Sequence, residues 1–161
     1  MPSPNMSTAA LAQAFCDRTL PKSLWTHEAH LRVGLWHLLH ASEEFALDKS
    51  PLDNLRERIR SYNEATGVAN TSTSGYHETL TRFYVWLIGR FLEKADQTLP
   101  EDILADQLVH RLGNRELPLQ FWSREVLMSP LARKQWVEPD RLTGLEASQQ
   151  TDLLLLPQLD V

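Results

Sequence analysis

Two short motifs concentrate the side chains of this protein that can do chemistry. WTHEAHL covers residues 25–31 and GYHET covers residues 75–79, and each places histidine beside glutamate. Imidazole and carboxylate groups bind divalent metal ions and transfer protons near neutral pH. We therefore expect the functional site to include both motifs.

Each motif lies where a helix is expected to begin. Thr26 and Ser74 are typical N-cap residues, and apolar residues follow both of them with helical spacing. The positive end of a helix dipole disfavours imidazolium, so histidines in a first turn tend to remain neutral. Neutral imidazole is the form that binds a metal ion or accepts a proton.

The rest of the chain predicts an all-α fold that positions these motifs. Helical apolar spacing is strong, whereas alternating β-branched runs are absent. In the predicted fifth helix, the residues expected to face inward are Ile103, Leu104, Leu108 and Leu112. We predict a single domain over residues 1–161, with a flexible N-terminus at residues 1–6. Its architecture is an antiparallel bundle of about five helices, at 7–17, 26–41, 50–67, 74–91 and 98–113. Residues 114–161 are expected to form an irregular segment of short helices and an extended tail, which packs on the bundle.

Helix order predicts that the two motifs meet. Consecutive helices joined by short loops are usually antiparallel, so the second and fourth helices should be parallel and begin at the same end. His27 and His77 fall on inward faces, and His30 lies about 60° from His27 around the helix. Gly34, one turn further along, permits close approach of a neighbouring helix.

This convergence predicts a metal-dependent, hydrolase-like enzyme that acts on a small polar metabolite. His27, His30 and His77 would hold Zn, Fe, Ni or Mn, and metal-bound water would be the nucleophile. Glu78 would be the catalytic acid/base group or a fourth ligand. HEAH differs from the protease motif HExxH, because its histidines are three residues apart. The predicted substrate-binding residues are Asn63, Arg60, Thr73 and Tyr76.

Two other interpretations fit the same residues. His27 and His77 are equally compatible with core histidines that bond to each other or to the backbone. Alternatively, the helix N-termini, the TSTSG loop and Arg60 or Arg82 would capture a phosphate or carboxylate without any metal. The protein would then be a non-enzymatic helical dimer that binds an anionic small molecule or a partner protein, with the apolar tail near Leu153 at its interface.

Composition disfavours several functional classes. The net charge of −5 and the pI near 5.6 argue against nucleic-acid binding, and the basic run at Arg56, Arg58 and Arg60 is typical of a solvated helix face. Cys16 is the single cysteine, so no intramolecular disulfide can form. No signal peptide is recognisable, and the longest apolar run, residues 153–156, is too short to span a bilayer. We expect a cytoplasmic protein without membrane contact.

Three segments carry a resemblance to other proteins. WTHEAHL, RSYNEATGVANTSTSGYHET and FWSREVLMSPLARKQWVEPD resemble a set of small bacterial helical proteins, over most of the chain from Trp25 to Asp140. This resemblance implies a helical fold and no particular activity. In architecture alone, inward histidines from different helices are similar to those of the DNA-damage-inducible four-helix metalloproteins.

Overall fold

The computed structural model of the protein describes residues 6–41 and 49–141, and its described residues form helices and connecting loops without a β-strand. The predicted all-α class is confirmed. Seven α-helices are present in these ranges, together with two 3₁₀ turns at Lys22–Leu24 and Leu117–Gln120. The α-helices are α1 (Thr8–Cys16), α2 (His27–Leu39), α3 (Pro51–Ala65), α4 (Glu78–Lys94), α5 (Glu101–Leu112), α6 (Arg124–Leu127) and α7 (Pro130–Lys134).

Side-chain caps start the first three helices where the sequence predicts. The hydroxyl oxygens of Ser7, Thr26 and Ser50 each accept a hydrogen bond from the backbone amide three residues later. Pro51 occupies the first turn of α3, where a missing amide hydrogen leaves no helical bond unmade. The helix that carries the WTHEAHL motif is therefore fixed at its first residue.

The start of α4 differs from the prediction. Ser74 does not cap this helix; His77 does, because its Nδ1 accepts a hydrogen bond from the amide of Leu80 at 3.2 Å. Gly75 has a φ angle of +79°, which turns the chain before a helix can begin. The carboxamide oxygen of Asn70 holds this turn by accepting from the amide of Tyr76 at 3.0 Å.

The core is organised around α2, which packs against α1, α3, α4 and α5. One buried cluster lies between α2, α4, α5 and the C-terminal segment, and a smaller cluster lies between α1, α2 and α3. The expectation for Ile103 is wrong, since this side chain is 44% exposed. The buried side of α5 is formed instead by Leu104, Ala105, Leu108 and Leu112.

Helices α2 and α4 approach each other closely at Gly34, as predicted. A Cβ atom at this position would lie 2.9 Å from Cδ1 of Ile88, which is too short for an undisturbed contact. This contact lies near the middle of α2 and just past the middle of α4.

The irregular segment after α5 packs on the bundle up to residue 141. The indole nitrogen of Trp122 donates to the carbonyl oxygen of Val137 at 3.0 Å, and the amide of Ser123 donates to Asp140 at 2.7 Å. The predicted tail beyond Arg141, including Leu153, lies outside the described residues, as does the predicted flexible N-terminus up to residue 5. Among the helices described, none is both long and apolar enough to cross a membrane.

Candidate functional site

A cleft of about 610 Å³ opens where the first halves of α2 and α4 meet. Residues of both motifs line it, including His27, His30 and His77, so the predicted meeting of the motifs is confirmed. This volume lies within the range of small-molecule sites. Its walls are largely apolar and include Trp25, Leu31, Ile59, Leu80, Val85 and Ile88.

His30 is held in one orientation at this cleft. Its ring stacks on Trp25 with 3.8 Å between centroids, and its Nδ1 donates to the carbonyl oxygen of Thr26 at 2.6 Å. Part of the side chain is exposed in the cleft, but contact with the indole removes water from the ring, and this desolvation lowers the pKa of His30. His30 is therefore neutral near pH 7, with the lone pair on Nε2.

His27 and Tyr84 line the cleft, and each has one buried polar atom without a hydrogen-bond partner. The Nε2 atom of His27 and the hydroxyl of Tyr84 are both buried, and neither has a hydrogen-bond partner among the described residues. The two rings meet edge to face with 5.6 Å between centroids. Because buried polar atoms nearly always have a partner, these two atoms indicate where a bound molecule would make hydrogen bonds.

The protonation states of this pair follow from burial. Desolvation, assisted by the nearby Arg115 guanidinium, lowers the pKa of His27. Desolvation also raises the pKa of the Tyr84 hydroxyl above its usual value near 10. Near neutral pH the cleft therefore contains an uncharged imidazole beside a protonated phenol.

His77 also lines the cleft, but both of its ring nitrogens are occupied. Nδ1 caps α4, and Nε2 donates to the carbonyl oxygen of Leu127 at 2.7 Å. Two residues further on, the hydroxyl of Thr79 donates to the carbonyl oxygen of Ala132 at 2.7 Å. These bonds attach the start of α4 to the C-terminal segment, which matches the core-histidine interpretation for His77.

Glu78 faces another part of the molecule and does not line the cleft. Its carboxylate accepts from Nε of Arg56 at 2.9 Å, from the Nη2 of the same side chain, and from the Tyr76 hydroxyl at 2.6 Å. Burial raises the pKa of Glu78, but the hydrogen bonds from Arg56 and Tyr76 outweigh burial, and the net pKa is lowered. Glu78 is therefore an ionised, fully bonded carboxylate at neutral pH.

The four predicted substrate-binding residues divide into two pairs. Asn63 and Tyr76 are buried and line the cleft. Arg60 and Thr73 are exposed and do not line it. The Arg60 guanidinium lies over the Tyr76 ring, 4.5 Å from its centroid, and Thr73 belongs to a loop turn with Thr71.

The sequence did not indicate Tyr84, Arg115 and Arg133 as site residues, although all three line the cleft. Tyr84 follows His77 by seven residues on the inward side of α4, so a polar group on a buried stripe was the available signal. Arg115 and Arg133 come from the segment after α5, where no periodic pattern indicates which side chains reach the cleft.

The metal site remains a prediction. In residues 6–41 and 49–141, no group of three histidine, cysteine or acidic side chains is arranged to hold an ion. To become a ligand, His77 would have to release one of its two hydrogen bonds, and Glu78 would have to leave Arg56.

Comparison with known proteins gives no relative for this chain: no protein-family profile, curated protein or solved structure matches it. The resemblance to small bacterial helical proteins therefore stays a prediction.

Proposed function

We propose that this protein binds a small organic molecule in the cleft between α2 and α4. The polar group of the ligand would bond to Nε2 of His27 and to the hydroxyl of Tyr84. One observation carries the proposal: the two atoms belong to side chains that line the same cleft, and both are buried with no partner among the described residues.

Buried polar groups without a hydrogen-bond partner destabilise a protein. Each such group costs about 1–3 kcal/mol, so a fold that served only stability would pair both atoms or replace them with apolar ones. A ligand that bonds to both atoms removes this cost when it binds. The cleft is also large enough for such a ligand and has the apolar walls that favour its burial.

Substitution of the two unpaired groups tests the proposal. Soluble fragments are screened by ligand-observed NMR, and the hits are titrated against wild type, Tyr84→Phe and His27→Ala. We expect both variants to bind the hits at least several-fold more weakly, because a ligand hydrogen bond is lost. His110→Ala is the control, since His110 is an exposed histidine of α5 that does not line the cleft. Hits that bind all four proteins equally would contradict the proposal.

Catalysis on the bound molecule is a second candidate function. The observation that favours it is the pairing of an uncharged imidazole with a protonated phenol, which suits general acid–base chemistry. This reading retains the predicted enzyme acting on a small polar metabolite, and a cytoplasmic setting stays part of the prediction. His27 or His30 would accept a proton, and Tyr84 would donate one.

The predicted divalent metal belongs to this second candidate. Calorimetric titration distinguishes a metal-dependent enzyme from a metal-free ligand site. Zn²⁺, Ni²⁺, Fe²⁺ and Mn²⁺ are each titrated into wild type and into His27→Ala. Metal binding that is lost in His27→Ala would support a metal-dependent enzyme. Absence of binding, together with retained fragment binding, would leave the cleft as a metal-free ligand site.

A further inference from the structure

Positive charge lines the cleft without any opposing carboxylate. Arg115 and Arg133 are among its lining residues, which include neither aspartate nor glutamate. The chain as a whole carries 21 acidic and 16 basic residues and is therefore negatively charged. The charged residues that line the cleft give it the opposite sign. Apolar walls focus the field of such charges, and a small anion is therefore attracted to this place.

Both arginines have N–H donors that make no hydrogen bond within the described chain. Arg115 is exposed and makes no ion pair within the described chain. Arg133 donates from Nη1 to the carbonyl oxygen of Gly75 at 2.7 Å, while its Nε is buried without a partner. Other arginines of the described chain bind carboxylates of their own, among them Arg32, Arg56 and Arg90.

The remaining polar atoms of the cleft also suit an anion. The protonated hydroxyl of Tyr84 can donate, and the uncharged imidazole of His27 can donate from Nε2 in one of its two tautomers. Charge-assisted hydrogen bonds from such donors are the strong ones. His27, Tyr84, Arg115 and Arg133 therefore supply unengaged donors from one cleft lining, and such donors suit the oxygens of an acidic group.

The apolar walls define the rest of the ligand. Leu31, Ile59 and Ile88 offer no hydrogen bonds, and burial of an apolar body against them and against the Trp25 ring contributes about 25 cal/mol per Å². The lining also lacks the carboxylates that usually hold the magnesium ion of a nucleotide. A compact apolar body with one acidic group fits both properties.

We infer that the cleft selects a small organic carboxylate with an aromatic or branched aliphatic body, and that Arg115 and Arg133 bind its carboxylate. This inference rests on the proposed binding function and names the ligand class for it. A second, smaller hollow beside the cleft shares Leu80, Arg115 and Met128 with it and is also lined by Glu116, so Arg115 lies where the two spaces join. Because Glu116 does not line the cleft, the ligand carboxylate would lie on the cleft side of this junction, with the apolar body directed toward Ile88.

Matched pairs of probes test the ligand class. The acids 3-phenylpropanoate and 3-cyclohexylpropanoate are titrated by calorimetry and NMR, each beside its uncharged amide. We expect the acids to bind roughly ten- to a hundredfold more tightly than the amides, because each charged contact exceeds a neutral one. The difference should shrink as salt concentration rises.

Removal of one arginine tests the assignment of the charge. Arg115→Gln breaks no ion pair of the described chain, and we expect it to weaken acid binding about tenfold or more and to leave amide binding nearly unchanged. Lys134→Gln removes the same charge from an exposed residue of α7 outside the cleft, and should leave both affinities unchanged.

The possible outcomes separate the two proposals. If acids and amides bind equally, or if Arg115→Gln and Lys134→Gln behave alike, the carboxylate inference is overturned and the binding function stands. If neither the acids nor the amides bind wild type at millimolar concentration, the carboxylate inference is overturned, and the fragment screen with Tyr84→Phe and His27→Ala decides the binding function separately.

Discussion

The two histidine motifs begin neighbouring helices, yet they differ in whether their polar groups have hydrogen-bond partners within the described chain. In GYHET, His77 caps α4 and bonds to Leu127, while Glu78 bonds to Arg56. In WTHEAHL, the His27 imidazole faces Tyr84, and neither Nε2 nor the hydroxyl has a partner in the described chain. The imidazole and carboxylate groups of GYHET are therefore bonded within the fold, whereas His27 of WTHEAHL has an unpaired ring nitrogen.

This difference shows how similar residue types are assigned to structure or to function. A histidine beside a glutamate at a helix start has the same chemistry in both motifs, so residue type alone does not separate the two roles. The number of unsatisfied atoms does separate them, because a buried group without a partner destabilises the fold. We therefore place the ligand at WTHEAHL and regard GYHET as its support.

The largest expected effect comes from the saturated motif. Glu78→Ala removes the acceptor of Nε and Nη2 of Arg56 and of the buried Tyr76 hydroxyl, so we expect a loss of about 3 kcal/mol in the free energy of unfolding. Urea denaturation measures this loss. Asp53→Asn is the control, because it weakens the exposed partner of Arg56 and should cost under about 1 kcal/mol. Equal stability of both variants would remove the structural role assigned to Glu78.

The two cleft histidines provide the closest comparison between the motifs. His77→Ala removes the cap of α4 and its bond to the C-terminal segment, so we expect a loss of about 2–3 kcal/mol. His27→Ala breaks no hydrogen bond of the described chain and should cost clearly less, through lost packing on Tyr84. Urea denaturation of both variants gives the order, and the reverse order would contradict our division of the motifs.

A histidine outside both motifs extends the comparison to pH. His37 is fully buried, with Nδ1 donating to the carbonyl oxygen of Val33 at 2.7 Å, and desolvation lowers its pKa to about 4. Since the unfolded-state pKa is 6.5, the unfolded chain binds more protons below that pH, and stability falls as the pH decreases toward 4. His37 alone should contribute a loss of about 2 kcal/mol between about pH 8 and about pH 5.

Urea denaturation across this pH range measures the loss, with His37→Gln as the variant that removes one titrating group. Its stability should depend less steeply on pH than that of wild type. An identical slope in the two proteins would mean that His37 is not held neutral by the fold.

The smallest expected change in stability is the most informative for function. Tyr84→Phe deletes a buried hydroxyl without a partner, so the free energy of unfolding should stay within about 0.5 kcal/mol of wild type or rise. Tyr62→Phe deletes a hydroxyl that donates to the carbonyl oxygen of Leu20 at 2.9 Å, and should cost about 1–2 kcal/mol. A destabilised Tyr84→Phe would reveal a partner for this hydroxyl and weaken the site assignment.

Much of the fold could be predicted from local sequence signals. Thr26 caps the helix for which it was predicted, and Ser7 and Ser50 cap helices whose starts were predicted at these residues, because a hydroxyl before an apolar-periodic segment acts through its own backbone surroundings. Ser74 has the same local signature, but the turn at Gly75 intervenes and His77 becomes the cap. The turn depends on Asn70, whose contact with Tyr76 is not encoded in helical spacing.

The site could be predicted in part. Helix order placed His27, His30 and His77 together, since parallel neighbouring helices bring their first turns to one end. The partners of each nitrogen depend on residues distant in sequence, such as Leu127, which is 50 positions after His77. Arg115 and Arg133 reach the cleft from irregular chain, and Arg56, expected on a solvated face, binds Glu78 instead.

The most direct test of the proposed site is a crystal structure of the protein with 3-phenylpropanoate bound. We predict that the carboxylate lies in the cleft, within hydrogen-bond distance of Tyr84 and of at least one of Arg115 and Arg133, with the phenyl ring against the wall near Ile88. A structure in which the probe binds elsewhere, while other protein atoms bond to His27 Nε2 and the Tyr84 hydroxyl, would contradict it.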